Sequence, residues 1–269
     1  MKTITTLFTT AVMLTMASAQ TLSIKGSDTL GAKLVPQLAE AFKAAGNSGV
    51  KFEIAAEGST TAFPALANGT AQIGMSSRKV KDDERTFCRT KGVYLKEHGI
   101  CHDMLVVIVN KNSPLTKLTK DQVAKIFTGQ IKDWSEMGGA PGKISIYTRN
   151  TSSGTYKDWQ KLAMGGRDYP NSSLKMAGNE QIAQEVSKNK NGIGYVGLAY
   201  AKTAGTKALS VDGVEPVAAN AKKYVYARQN YLYAPEKPTP EADAFMKFVE
   251  SDAGQDIIRK VGFVPAKDL

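Results

Sequence analysis

The chain has 269 residues and a formal net charge of +10 at pH 7, from 35 Lys and Arg against 25 Asp and Glu. Hydrophobic residues make up 42% and charged residues 22%, a balance that is typical of a soluble globular protein and excludes a disordered chain. The length suffices for one large domain or for two lobes, each with its own core. The same composition excludes a collagen-like chain, a disulfide-dense miniprotein and a polytopic membrane protein.

The N-terminus has the pattern of a secretory signal peptide. Residues 1–2 are a short positive start, residues 4–16 are mostly apolar or Thr, and residues 17–19 form a small-x-small cleavage signal. This segment is too short and too rich in Thr to span a membrane. We therefore expect residues 1–19 to be removed by cleavage between Ala19 and Gln20. The mature chain would be periplasmic, without stable insertion in a membrane.

Export favours a disulfide between the two cysteines. Cys88 and Cys101 are the only cysteines, and an oxidising compartment promotes a bridge between them. His98 and His102 flank Cys101, so these four side chains could alternatively ligate zinc. Free thiols are the third alternative. We expect the disulfide, and no metal.

Apolar periodicity predicts strands and helices in alternation. Strands are predicted at 21–25, 50–55 and 72–75, with a helix at 30–42 after the first and another ending at Ala67 after the second. Further strands are predicted at 104–110, 143–148, 192–196 and 224–234, and further helices at 120–127, 156–164, 241–250 and 252–261. This order indicates an α/β fold with a mainly parallel sheet covered by helices.

Segments rich in Gly, Ser and Thr stand where predicted strands end and helices begin. They are residues 26–29, 58–61 and 152–155, and residues 76–78 end a further strand. Helix N-termini at the carboxyl ends of strands offer free N–H groups to an anion, and hydroxyls add donors. Arg149 adds a guanidinium whose geometry suits a tetrahedral oxyanion. Each segment alone is typical of a helix cap; together they predict a buried anion site.

The same segments carry a resemblance to a known family. Residues 118–139 contain LTKDQ, IFTGQIKDW and GG in order, residues 149–155 read RNTSSGT, residues 192–197 read GIGYVG, and residues 262–265 read GFVP. These phrases are similar to the signatures of the phosphate-binding proteins of Pst-type ABC transporters, which are periplasmic solute receptors. The resemblance covers essentially the whole mature chain.

The resemblance implies the residues that would contact phosphate. They are Thr29, Leu30, Ser59, Arg149, Ser153, Gly154 and Thr155, with Ser77 and Arg78 at the end of the strand at 72–75. Many relatives have an Asp at the position of Ser77, where it accepts the proton of hydrogen phosphate. Without it, Asp28, Glu57, a serine oxygen or a backbone carbonyl must accept the proton, or sulfate is rejected less strongly. Asp28 has the alternative role of helix N-cap, and Arg78 that of an ion-paired arginine.

The resemblance also implies a two-lobed periplasmic binding protein of type II, with mixed, mainly parallel sheets. Lobe 1 would comprise residues 20–106 plus 228–269, and lobe 2 residues 107–227. Two extended crossings, near 104–107 and 227–231, would form the hinge about which the lobes close on the anion. The implied partners are inorganic phosphate and the permease of an ABC transporter, with a monomeric receptor and no cofactor.

Other classes of function fit the sequence less well. A receptor for sulfate, molybdate, arsenate or a phosphonate would need the same donors. A secreted phosphatase would need a nucleophile with a base or paired metals, and Ser153 does not stand in a Gly-x-Ser-x-Gly turn. Basic helix motifs are absent from the sequence, which argues against nucleic acid binding. We expect a receptor and not an enzyme.

Overall fold

The computed structural model describes residues 21–268 of the chain. The predicted signal peptide at residues 1–19, with its cleavage point, lies outside the described residues. Across residues 21–268, none of the helices combines the length and the apolar character that crossing a membrane requires.

The described residues form twelve strands and nine α-helices. The strands are β1 (Thr21–Gly26), β2 (Lys51–Ala55), β3 (Ile73–Ser76), β4 (Leu95–Asn110), β5 (Lys117–Leu118), β6 (Ser145–Arg149), β7 (Leu174–Met176), β8 (Gly192–Gly197), β9 (Thr206–Ala208), β10 (Ser210–Val211), β11 (Ala227–Pro235) and β12 (Val264–Pro265). The helices are α1 (Asp28–Gly31), α2 (Leu34–Ala44), α3 (Ser59–Ala67), α4 (Asp82–Thr90), α5 (Lys120–Phe127), α6 (Gly154–Leu162), α7 (Asn179–Lys188), α8 (Pro240–Glu250) and α9 (Asp252–Val261).

Most predicted elements are present, but there are several differences, among them the short strands β5, β7, β9, β10 and β12, which were not predicted, and β11, which begins at Ala227 and not at residue 224. The helix predicted at 30–42 is divided into α1 and α2 by a turn at Ala32 and Lys33. β4 begins at Leu95, nine residues before the predicted strand at 104–110. α4 and α7 were not predicted: α4 buries only Cys88, whereas α7 buries Ile182, Ala183 and Val186 at helical spacing, a signal that was overlooked.

The long strand β4 belongs to two parts of one sheet. The strand order is β2-β1-β3-β11-β4-β8-β6-β7, and β4 is antiparallel to both of its neighbours. Residues 95–104 of β4 pair with β11, whereas residues 105–109 pair with β8. The three strands at one end, β1 to β3, are parallel, as are β6 to β8 at the other. The sheet is therefore mixed and mainly parallel towards its ends, as predicted.

Each half of the sheet supports a core of its own. The first lobe packs α2, α8 and α9 against β1 and β3, and α3 and α4 form a smaller cluster on the same half. The second lobe packs α5, α6 and α7 around β4 and β8, with Trp159 stacked on Tyr195 at a ring-centroid distance of 4.4 Å. β4 is apolar from Met104 to Val109 because both of its faces are buried there. The architecture is thus two-lobed, with β4 and β11 as the crossing strands; the residue boundaries of the lobes stay a prediction.

The disulfide prediction is wrong: both thiols are free and buried. Cys88, on α4, packs in the smaller cluster of the first lobe, and its Sγ lies 3.5 Å from the carbonyl oxygen of Phe63. Cys101, on β4, packs in the larger core of that lobe. The zinc alternative also fails, because no group of three or more His, Cys, Asp and Glu within residues 21–268 could hold a metal ion. Spacing in the sequence does not show that the two cysteines face different clusters.

We predict that a colorimetric thiol reagent finds two free thiols per chain in denatured, unreduced protein. The folded protein should react far more slowly, because burial raises the pKa of both thiols and lowers their thiolate fraction. A denatured sample without free thiols would show that the bridge exists.

Candidate functional site

Three helices begin at one place, where strands of both lobes end. α1 follows β1, α3 follows β2 and α6 follows β6. Parallel strands bring their carboxyl ends to one edge, so the helices that follow present their N-termini there. Five of the predicted phosphate contacts carry a hydroxyl and are buried at this place: Thr29, Ser59, Ser77, Ser153 and Thr155.

Four of these hydroxyls, those of Thr29, Ser59, Ser77 and Thr155, form what we call the hydroxyl cluster. The Oγ1 atoms of Thr29 and Thr155 are 3.0 Å apart, which joins the first lobe to the second. The Oγ atoms of Ser59 and Ser77 are 3.1 Å apart, and Ser77 Oγ lies 3.4 Å from Thr155 Oγ1. The predicted contacts from separate segments therefore meet in one buried group.

Two glycines permit this close approach of the lobes. Gly58 has a φ of +121°, and a Cβ there would lie 2.6 Å from the carbonyl oxygen of Ser152. That carbonyl accepts hydrogen bonds from the N–H and the hydroxyl of Thr60. A Cβ on Gly154 would overlap Ser59 Oγ. A side chain at either position would hold α6 away from α3.

Arg149, the last residue of β6, places a buried guanidinium beside the hydroxyl cluster. Its Nη2 donates to the carbonyl of Ala177 at 2.7 Å. Nη1 lies 3.1 Å from Asp28 Oδ2, yet Nη1 and Nε both lack a hydrogen-bond partner among the described residues. Burial lowers the pKa of Arg149, and the charge of Asp28 opposes this shift. Two buried N–H donors of a charged group thus remain for an acceptor.

Asp28 is the first residue of α1 and not its N-cap, which is Ser27. Asp28 Oδ2 accepts hydrogen bonds from the backbone N–H of Asn179 at 3.0 Å and from its side-chain amide at 2.7 Å. With the Arg149 contact, this carboxylate joins the first lobe to two segments of the second. The N-cap interpretation of Asp28 is therefore corrected.

Two further predicted residues have side chains directed elsewhere. The side chain of Leu30 belongs to the core of the first lobe, so only its backbone can face the site. The Arg78 guanidinium forms two hydrogen bonds with Glu84, at 2.8 and 2.5 Å, and lies over the ring of Phe63. Arg78 has the ion-paired role that was its alternative, while its backbone follows Ser77 directly.

Sequence reasoning missed Arg228, on the crossing strand β11. Its Nη2 donates to Thr155 Oγ1 at 2.8 Å and lies 3.5 Å from Thr29 Oγ1. The same nitrogen donates to Asp103 at 3.3 Å, and Nη1 donates to Asp158 at 3.1 Å. The one signal in the sequence was a lone arginine within the predicted crossing at 227–231.

The two carboxylates on Arg228 are held in a buried setting. Asp103 also accepts the backbone N–H groups of Met104, at 2.8 Å, and Leu198, at 3.0 Å. Burial raises the pKa of Asp103 and of Asp158, and the charge of Arg228 partly offsets the rise in both. Arg228 thus stabilises two buried carboxylates whose charges would be energetically unfavourable without a partner.

A family model described as a PBP superfamily domain matches residues 15–253. The phosphate-binding protein PstS of Pseudomonas aeruginosa is 35% identical to the chain, in a match that covers 91% of this chain and 82% of that protein. The chain belongs to the PBP superfamily and, within it, to the PstS family. PstS of Bacillus subtilis is 29% identical, over 92% of this chain and 81% of that protein.

A solved structure agrees with the PstS family assignment. It is described as a putative phosphate ABC transporter substrate-binding protein from Clostridium perfringens with bound phosphate. The TM-score is 0.84 at 32% identity, and the match covers 92% of this chain and all of the other. The predicted fold class, a two-lobed binding protein of type II, is confirmed by this match and by the topology.

We predict that Arg228→Ala lowers the free energy of unfolding by about 3–5 kcal/mol at pH 8 in phosphate-free buffer, because Asp103 is left buried and unpaired. Burial already raises the pKa of Asp103, and loss of the guanidinium raises it further. The loss should therefore be smaller at pH 4, where more of Asp103 is protonated, than at pH 8, and should grow as pH rises through the folded-state pKa.

Urea unfolding at both pH values measures this effect. Arg85→Ala is the matched control, since Arg85 meets Glu97 at 3.5 Å with both side chains partly exposed. An equal loss at pH 4 and pH 8 would contradict the assignment of Asp103 as the dependent group.

Proposed function

We propose that this protein is a receptor for inorganic phosphate, exported to the periplasm, that delivers the anion to an ABC permease. The observation that carries the proposal is the buried hydroxyl cluster beside Arg149, whose Nε and Nη1 donors have no hydrogen-bond partner in residues 21–268, although Nη1 lies 3.1 Å from Asp28 Oδ2. Such donors stabilise an oxyanion strongly in a site from which water is excluded. The PstS relatives and the phosphate-bound Clostridium perfringens protein support the choice of phosphate.

The proposed contacts come from both lobes. The first lobe would supply the hydroxyls of Thr29, Ser59 and Ser77 and the backbone N–H groups at the start of α1, including that of Leu30. The second would supply Arg149 for charge, together with the N-terminus of α6 at Ser153, Gly154 and Thr155. A tetrahedral anion with four oxygens can accept from donors that surround it in this way. Arg78 would act through its backbone alone.

Ser77 is the proposed acceptor for the proton of hydrogen phosphate. Glu57 is exposed, and Asp28 Oδ2 is occupied by Asn179 and Arg149. Within the described residues the hydrogen-bond partners of Ser77 Oγ are the hydroxyls of Ser59 and Thr155. Each of these can donate to Ser77 or accept from it, so Ser77 can accept a proton from the anion while it donates its own to a neighbour. A carboxylate at this position repels sulfate by its negative charge. A hydroxyl is uncharged and therefore rejects sulfate less strongly.

Lobe closure would connect binding to transport. We propose that residues 20–106 plus 228–269 move as lobe 1 against residues 107–227, with β4 and β11 bending where they cross. The closed monomer would then dock on the permease. Cleavage after residue 19 would release the mature protein into the periplasm.

We propose binding and not catalysis as the role of the site. A phosphatase would need a base beside its nucleophile, whereas the partner of Ser153 Oγ is the backbone N–H of Tyr156. The two histidines of the chain, His98 and His102, stand on β4 within the stretch that pairs with β11. This arrangement favours a receptor over the phosphatase alternative.

Calorimetric titration of the ligand-stripped mature protein at pH 7 tests the proposal. We expect tight binding of phosphate and weaker, measurable binding of sulfate, because Ser77 replaces a charged acceptor. Equal affinities would indicate a broader oxyanion receptor. No binding of either anion would refute the phosphate proposal.

We further predict that Arg149→Ala weakens phosphate binding by about 2–4 kcal/mol, because a buried charged donor pair is lost. Arg167→Ala is the control, since Arg167 is an exposed arginine of the same lobe. Titration calorimetry on both variants measures the difference. An unchanged affinity in Arg149→Ala would remove Arg149 from the site.

A further inference from the structure

A hydroxyl helps to bind an anion only when it donates its proton to that anion. Each hydroxyl has one proton and two lone pairs, and its rotation decides which of them faces the ligand. A neighbouring N–H group that occupies one lone pair restricts this choice, because the hydroxyl proton cannot point at an N–H. Ser59 Oγ accepts the backbone N–H of Ser77 at 3.0 Å, and Ser153 Oγ accepts that of Tyr156 at 3.3 Å.

The hydroxyls of Thr29 and Thr155 receive N–H groups from side chains. Arg228 Nη2 donates to Thr155 Oγ1 at 2.8 Å and to Thr29 Oγ1 at 3.5 Å. The side-chain amide of Asn179 adds a second donor to Thr29 at 3.4 Å. A guanidinium has five donors and no acceptor. Neither threonine can direct its proton back at Arg228. One of them donates to the other across the 3.0 Å contact between their Oγ1 atoms, and either proton can turn to an anion instead.

Arg228 is itself held rigidly enough to impose this polarity. It is the direct cross-strand partner of Asp103, so the two crossing strands are joined by a charged pair. Asp158, one turn after Thr155 on α6, holds the other terminal nitrogen. Anchors on β4 and on α6 therefore fix the direction in which Nη2 points.

We propose that Arg228 is a positioning residue for anion binding, which orients the hydroxyls of Thr29 and Thr155 as donors towards the ligand. This inference rests on the proposed phosphate function and deepens it. Arg228 acts through the two threonines, and its own charge is balanced by Asp103 and Asp158. The hinge strand β11 thereby contributes to affinity through hydroxyls that belong to different lobes.

A double-mutant cycle between Arg228 and Thr155 tests the proposal. All four proteins carry Asp103→Asn, so that removal of Arg228 does not leave a fully buried charge unpaired. We expect Arg228→Met and Thr155→Val each to weaken phosphate binding about 10- to 100-fold, as loss of a donor in a buried site does. The double variant should bind phosphate clearly better than the product of the two single effects predicts, because both changes remove the proton donated by Thr155; the remaining effect of Arg228→Met in the Thr155→Val background acts through Thr29.

A second cycle, between Arg228→Met and Ser59→Ala, is the internal control. The lone pair of Ser59 is occupied by a backbone N–H, so Arg228 does not determine its polarity. The two effects should multiply to within about threefold, as they do for independent sites. Arg228→Lys keeps a charged donor and should restore part of the affinity, which a loss of packing alone would not predict.

The outcomes separate this inference from the proposed function. If the parent protein does not bind phosphate, the proposed function fails. If it binds phosphate and the effects of the single substitutions multiply in both cycles, the proposed function stands and the positioning role of Arg228 is refuted. If Arg228→Met shows no cooperative thermal transition, both cycles are repeated in a parent that carries Asp158→Asn as well as Asp103→Asn, so that neither carboxylate partner of Arg228 is left charged, with the same two outcomes.

Discussion

Buried charge at the junction of the lobes is the constraint on which the site depends. Two guanidiniums, of Arg149 and Arg228, and three carboxylates, of Asp28, Asp103 and Asp158, lie within reach of one another there. Such groups remain ionised in a protein interior only when each is paired and hydrogen-bonded. The crossing strands satisfy this condition because their register sets Arg228 directly opposite Asp103. The hydroxyl cluster is assembled around groups whose positions the pairing has already fixed.

The two buried arginines at the site have different roles. Arg149 has two N–H-bearing atoms, Nε and Nη1, without a hydrogen-bond partner among the described residues, whereas Arg228 donates to carboxylates and threonines. The first arrangement attracts an anion by charge, and the second determines which atoms of the neighbouring hydroxyls point at it. A receptor that must capture and later release its ligand gains from this division, because only part of its charge is directed at the anion.

Local signals explain what the sequence could predict. A strand followed by Gly, Ser and Thr and then by apolar periodicity identified the starts of α1, α3 and α6, and Arg149 followed from its place at a strand end. Family resemblance then supplied Ser77 and the two-lobed fold. These features are encoded within a few neighbouring residues, or within phrases long enough to be specific.

The remainder of the site depends on register and on the facing of side chains. Asp103, Asp158 and Arg228 are isolated in the sequence, and only strand pairing and the docking of α6 bring them together. For the cysteines, closeness in sequence was misleading. Cys88 and Cys101 are thirteen positions apart, yet α4 and β4 direct their side chains into different clusters. Arg78 was predicted to contact phosphate, but in the structure its guanidinium is bound by Glu84, which lies in the first turn of α4.

The position of β11 in the sheet affects how the chain can fold. β11 lies between β3 and β4 in space, although it follows them by more than a hundred residues in sequence. During synthesis from the N-terminus, the first lobe therefore lacks its middle strand, and the helices α8 and α9 that cover it, until the last part of the chain emerges. The second lobe is contiguous and can form earlier. On the proposed export, a chaperone that keeps the chain unfolded would thus have the longest time to act on the first lobe.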